Sequence, residues 1–253
     1  MLADTHVHLN SPEFAGDLED VLARARAVHV ERFLCAGYDL ESSRRAVDLA
    51  ARHSGVVASA GVHPHDARTW NDGVEAAIDG WLASGKAVAA GEMGLDYYYD
   101  HSPRDQQRAV LRSQLRLARR HGVPAVVHNR DSDDDMVVIL EEEAGGLRLV
   151  LHAFTGAPVL AALGRRMGFY FGIGGFLTFK GHALAACVAE LPRESLLLET
   201  DSPYLAPHPK RGRRNEPAYV PHIATRLAEL LGTTADEVAS LTTANFERFL
   251  GHR

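Results

Sequence analysis

Six side chains suited to binding metal cations sit at the ends of short apolar runs spread from residue 6 to residue 201: His6, His8, Glu92, His128, His152 and Asp201. Ligands so far apart in the chain meet only if the fold gathers the same end of many strands at one point. A closed parallel barrel does this, because its functional face is built from the C-terminal ends of all its strands. The spacing of these residues restricts the architecture before composition is considered.

The apolar runs themselves point the same way. Strands are expected over residues 2–8, 30–37, 55–61, 86–92, 122–128, 147–153, 167–173 and 194–201, most of them near-continuous stretches such as Leu149-Val150-Leu151 and Leu196-Leu197-Leu198. That is the form of parallel strands buried on both faces. Between them lie amphipathic stretches predicted as helices near 18–29, 41–53, 72–84, 103–121, 132–143, 157–166, 180–190 and 217–231, with an additional C-terminal helix near 234–250. For 103–121, Ser102 is the expected cap, Pro103 falls in the first turn and Gly122 follows the end. Its arginines, Arg104, Arg108, Arg112, Arg116 and Arg119, read as a solvated face. Eight strands alternating with eight helices predict an α/β chain, a (β/α)8 TIM barrel. An open doubly wound sheet gathers ligands at a single switch point and fits the spread of these residues less well. No linker-like stretch divides the sequence, so residues 1–253 are expected to form one domain.

Charge and cysteine content narrow the setting. A net charge of −6 gives no global attraction to a polyanion, so nucleic acid or membrane would have to be held locally. The two cysteines, Cys35 and Cys187, lie in apolar contexts and are expected to be reduced core residues. No signal-peptide pattern and no membrane-spanning apolar run is seen. A soluble, cytoplasmic protein is the expectation, with the oligomeric state left open.

His6 and His8 are two residues apart, so on a strand both imidazoles point the same way. Two buried histidines without partners would be costly, which favours a shared ion. Glu92 follows Val88-Ala89-Ala90-Gly91, and a carboxylate among imidazoles can bridge two cations. His128 and His152 suit a second ion. Asp201 can ligate a metal while accepting a proton. Four imidazoles and two carboxylates accommodate two divalent ions, with zinc, manganese, cobalt or magnesium as candidates.

The chain resembles the TatD-type deoxyribonuclease family of metal-dependent, amidohydrolase-like hydrolases. The resemblance rests on Asp4-Thr5-His6-Val7-His8-Leu9, Gly61-Val62-His63-Pro64-His65, Gly91-Glu92-Met93-Gly94-Leu95-Asp96 and His128-Asn129-Arg130. It continues in His152-Ala153-Phe154-Thr155-Gly156, Glu199-Thr200-Asp201-Ser202-Pro203-Tyr204, Arg211-Gly212-Arg213-Arg214-Asn215-Glu216-Pro217 and Asn245-Phe246-Glu247-Arg248-Phe249. Ala153 is a departure, since cysteine is common there. The resemblance implies a (β/α)8 fold, a divalent-metal centre and hydrolysis of DNA, often from the 3′ end.

On this reading His6, His8, Glu92 and Asp201 hold one ion, while Glu92, His128 and His152 hold the other. Asp201 and Glu92 carry the catalytic roles. Bound metal can lower the pKa of water from about 15.7 to about 7. His63, Arg130 and Arg211 are the expected contacts to substrate, with Lys210, Arg213 and Arg214 as neighbours of Arg211. Tyr97, Tyr98, Tyr99, Phe154 and Tyr204 are suited to base stacking or to packing the rim. His53 and His121 read as helix-end residues, and His29, His101, His182, His208, His222 and His252 show no ligand pattern. The expected substrate is DNA, single-stranded or at 3′ ends. Two alternatives stand beside it. One is hydrolysis of a lactone, phosphotriester, amide or aminoacyl-tRNA ester on the same scaffold. The other is a non-catalytic metal- or nucleic-acid-binding protein. Many related barrels bridge their metals with a carboxylated lysine, but none of Lys86, Lys180 and Lys210 ends a predicted strand, which favours Glu92 as the bridge.

Overall fold

A computed structural model describes residues 1–251; His252 lies outside the described residues. Eight parallel strands run in the order β1-β2-β3-β4-β5-β6-β7-β8. They are β1 (Leu2–Val7), β2 (Val30–Cys35), β3 (Val56–Ala60), β4 (Ala89–Asp96), β5 (Ala125–Arg130), β6 (Leu149–Leu151), β7 (Tyr170–Ile173) and β8 (Leu196–Leu198). The helices between and after them are α1 (Leu18–Ala27), α2 (Leu40–Arg52), α3 (Asp72–Ala83), α4 (Arg104–His121), α5 (Asp133–Glu143), α6 (Pro158–Met167), α7 (Ala183–Cys187), α8 (Val220–Leu231) and α9 (Ala235–Leu250). This is the expected (β/α)8 barrel with its additional C-terminal helix.

Closure comes just beyond the last strand. The Asp201 amide donates to His6 O at 2.9 Å, and the His8 amide donates to Ser202 O at 2.9 Å. A buried side-chain clasp reinforces this: Asp4 accepts the Thr200 amide at 2.9 Å and the Thr200 hydroxyl at 2.6 Å. Two functional segments, at the ends of the first and last strands, are thereby fixed to each other. At the opposite end of the barrel, Phe246, Phe249 and Leu250 of α9 pack with Ala3, Leu34, Ala89, Val126, Val150 and Leu197, one from each of six strands. The extra helix thus plugs the floor.

Two register shifts matter for the site. In the β1–β2 pair, Asp4 faces Phe33 and Val7 faces Cys35, so three steps on β1 match two on β2. In the β4–β5 pair, Ala90 faces Ala125 and Met93 faces Val127, again one residue in excess. Such bulges redirect side chains beside functional sites, and here they fall at His6 and Glu92. The sequence expectation ended the fourth strand at Glu92; the strand instead runs through it to Asp96.

Smaller expectations are corrected as well. Ser102 does not cap α4: its hydroxyl donates to His65 O at 2.7 Å and accepts the Arg68 amide at 3.2 Å, tying the loop after β3 to the helix. Pro103 occupies the cap position, and Gly122 ends the helix in the left-handed conformation at φ 65°. The predicted helix over 180–190 shrinks to the short α7 followed by a 3-10 turn. The arginine face of α4 is only partly solvated, because Arg108, Arg112 and Arg116 pair with Asp135, Glu142 and Glu143 of α5. Cys35 is free and buried; Cys187 is free and half-buried. No helix among the described residues is long and apolar enough to cross a membrane.

Candidate metal centre

Glu92 stands at the middle of the barrel mouth, and its two carboxylate oxygens face different partners. Oε2 lies 3.3 Å from His6 Nε2 and 3.8 Å from His8 Nε2. Oε1 lies 3.4 Å from His63 Nε2, 3.3 Å from His128 Nδ1 and 3.2 Å from His152 Nε2. Asp201 closes the first group, its Oδ1 at 3.2 Å from His8 Nε2 and 3.8 Å from His6 Nε2. Ligand-capable atoms of His6, His8 and Glu92, of His6, His152 and Asp201, and of His63, Glu92 and His128 each fall within 4.8 Å of one another. All six residues singled out from the sequence as metal ligands converge. His63, expected only as a substrate contact, joins them.

The environment is that of a site built for cations. Neither ring nitrogen of His6 has a hydrogen-bond partner although both are buried. The side chain therefore approaches Glu92 without bonding to it, as two donors aimed at a common point do. An orphaned buried imidazole is costly, and a shared cation would satisfy it. Burial alone would raise the Glu92 carboxyl, but the His152, His63 and His6 rings outweigh burial and hold it well below the usual range. For Asp201 burial is likewise opposed, chiefly by the His8 hydrogen bond and the charge of His152, and its pKa is lowered. Burial pushes the His63 imidazole well below its ordinary value. In His152 burial is overcome by Glu92 and Glu199, so this imidazole is held well above it. Cations entering such a site displace imidazole protons.

Two carboxylates to which the sequence assigned no role face the candidate ligands from behind. Glu199, just past β8, accepts the Ala153 amide at 2.6 Å and faces His152 Nδ1 at 3.2 Å. Gly172 leaves the room for it; a Cβ there would stand 2.1 Å from Glu199 Oε2. Asp96, at the end of β4, faces His128 Nε2 at 3.3 Å and His65 Nε2 at 2.8 Å. Carboxylates behind metal-ligating histidines fix ring orientation and tautomer. The signal for both was present in the sequence, since each lies within four residues of a candidate ligand at a strand end.

The centre opens into a cleft of ≈ 880 Å³. Arg130 lines it, as do His101 and His182, which showed no ligand pattern in the sequence. Arg211 does not: it is exposed, its guanidinium stacks on Phe179 at 4.2 Å and it donates to Ala206 O at 3.3 Å. The basic cluster around it is divided, for Lys210 sits over Tyr219 at 5.3 Å and Arg214 pairs with Asp17 at 2.6 Å. No lysine enters the centre; Lys86 is exposed ahead of β4, at the other end of the barrel.

A family model described as TatD related DNase matches residues 3–251. The chain belongs to the TatD-related DNase family. It is an enzyme of the metal-dependent hydrolase class. The chain is 44% identical over 250 residues to a protein of Bacillus subtilis (strain 168) described as the uncharacterized metal-dependent hydrolase YabD, with 98% of each chain covered. It is 39% identical over 256 residues to the 3′-5′ ssDNA/RNA exonuclease TatD of Escherichia coli (strain K12), again with 98% of each covered. The crystal structure of YjjV, a TatD homologue from Escherichia coli K12, superposes with a TM-score of 0.91 at 30% identity, covering 98% of this chain and 97% of that one. YjjV thus shares the barrel from end to end.

Proposed function

We propose that this hydrolase cleaves phosphodiester bonds of single-stranded nucleic acid from the 3′ end, using two divalent ions. The divided surroundings of Glu92 carry this reading: one oxygen faces His6 and His8, the other His63, His128 and His152. A single carboxylate serving two ligand groups is the arrangement a bridged pair needs. His6, His8, Glu92 and Asp201 would hold one ion; Glu92, His128 and His152 the other, with His63 beside it. Zinc, manganese and cobalt suit so many imidazoles better than magnesium does.

Bound there, the ions would supply Lewis acidity toward water and toward a phosphate oxygen. Asp201 accepts the proton of the attacking water at its carboxylate and returns it to the 3′ oxygen as the P–O bond breaks. Glu92 stays ionised and keeps the two groups in register. Arg130, which lines the cleft, meets a phosphate there. His6 and His152, with rings stacked at 3.7 Å, wall the floor and exclude bulk water.

Timed digestion of end-labelled single-stranded DNA and RNA across zinc, manganese, cobalt and magnesium, with a chelator control, tests this. Metal-dependent shortening from the 3′ end is expected. Rapid lactone or phosphotriester turnover with both nucleic acids intact would overturn it, as would tight strand binding without any cleavage.

A further inference from the structure

The rim over the ends of β4 and β5 carries aromatic surface that packing leaves open. Tyr98 and Tyr99 are 58% and 49% exposed, yet their backbone is held firmly: both amides donate to Asp96 Oδ1, at 3.1 and 2.9 Å. Arg130 lays its guanidinium over the two rings, 4.0 Å from the centroid of Tyr98 and 4.7 Å from that of Tyr99. No carboxylate lies within 4.0 Å of Arg130 among the described residues, in contrast to the paired arginines of α4. Arg130 and Tyr99 line the same cleft as Asp66, Asp131, Asp133 and Asp201. An unpaired, pre-oriented cation in an otherwise acidic cleft is a receptor for an anion brought in by a ligand. Beside it, the part of Tyr98 and Tyr99 that neither Arg130 nor His101 covers stays in solvent and offers a place for a flat ring.

The mount gives this rim its relation to the metal centre. Asp96 Oδ1 holds the tyrosine turn, while Oδ2 faces His128 and His65. One rigid carboxylate thus sets the position of the rim and the orientation of a ligand ring.

We propose that Tyr98, Tyr99 and Arg130 form the subsite for one unpaired nucleotide, its base against the tyrosine pair and its phosphate on Arg130, with Asp96 registering it to the metal centre. This rests on the nuclease reading and names the residues that hold the unpaired nucleotide. A base already paired and stacked in a duplex has no free face to offer, so the rim admits single strands.

The test pairs a protein change with a substrate change. The metal-loaded enzyme and its double variant Tyr98→Ala, Tyr99→Ala are compared on a single-stranded oligonucleotide and on the same strand ending in an abasic residue. The variant is expected to raise KM for the intact strand about tenfold, in keeping with loss of base stacking. It should give no further loss on the abasic strand, which the unaltered enzyme already handles poorly. Arg130→Gln should flatten the salt dependence of oligonucleotide binding by about one phosphate contact. An unaltered enzyme that cleaves the strand, combined with variants that keep its KM and salt slope, overturns the subsite and leaves the nuclease reading standing. An enzyme that cleaves neither strand removes both.

Discussion

Glu199 Oε1 lies 3.2 Å from His152 Nδ1 and also takes the Ala153 amide at 2.6 Å, so one buried carboxylate fixes both the ring and the backbone of a candidate ligand. The geometry leaves His152 Nε2 directed at Glu92 Oε1, 3.2 Å away. Replacing Glu199 by Gln keeps the shape and one acceptor but removes the charge that makes His152 a stronger donor. Metal affinity is expected to fall about 10–100-fold, measured by competition with a chromogenic chelator, with the far-ultraviolet circular dichroism unchanged. Equal affinity in the two proteins would show that Glu199 serves packing alone.

Removing metal should cost stability, because the imidazoles and carboxylates that face one another at the mouth lie on β1, β4 and β5 and just past β1, β3, β6 and β8. A ligand at about 100 times its Kd adds about 2.7 kcal/mol. For a chain of this size each kcal/mol moves Tm by about 2–4 °C. Chelator-stripped protein should therefore melt roughly 5–11 °C below the zinc- or manganese-reloaded protein in differential scanning calorimetry. Coincident transitions would mean that the cluster holds no cation.

Much of this arrangement was legible in the sequence, and the reasons are physical. Parallel strands buried on both faces must be apolar runs, and a barrel puts their C-terminal ends together, so His6, His8, Glu92, His128, His152 and Asp201 could be grouped without coordinates. The bulges at His6 and Glu92 could not be read, because an extra residue in a strand has no chemical signature of its own. His63 lies three residues beyond β3 and precedes Pro64, apart from the strand ends that grouped the other six, so it was expected as a contact to substrate. Glu199 and Asp96 were hidden by proximity to stronger candidates, although both stand in the quoted motifs. Arg211 was expected at the cleft because its loop follows the last strand; loop paths follow from local packing, here on Phe179, and no periodicity encodes them.

The clamp between α4 and α5 makes a pH prediction away from the metal centre. Glu143 is 7% exposed and meets Arg116 at 2.5 Å, with Arg112 at 3.6 Å. The Arg116 hydrogen bond leads the causes that hold its carboxyl below the ordinary 4.5. A carboxyl lowered in the folded state gives stability that is present above its unfolded value and is lost as pH falls through the folded value. Since Arg116 is largely exposed, solvent screening limits the contribution to about 1 kcal/mol. Glu143→Gln should thus be less stable than the unaltered protein at pH 7 by about that much, and the gap should close as pH drops below about 4.5. A gap that persists unchanged at pH 3, followed by urea unfolding, would assign the loss to packing.

Asp201 occupies the left-handed backbone region at φ 56°, a conformation that Asp and Asn tolerate better than other side chains. Its amide, not its carboxylate, makes the closing bond to His6 O. Asp201→Asn should therefore fold normally and keep the barrel closed, while losing the carboxylate proposed to take the proton from water. Turnover of single-stranded DNA is expected to drop by about 10²–10⁴-fold, together with the acidic limb of the pH–rate profile. Elemental analysis of the same preparation separates the two roles of the side chain. Full metal content with lost turnover assigns Asp201 to proton transfer, depleted metal assigns it to coordination, and a variant within tenfold of normal turnover at full metal content would remove it from the chemistry.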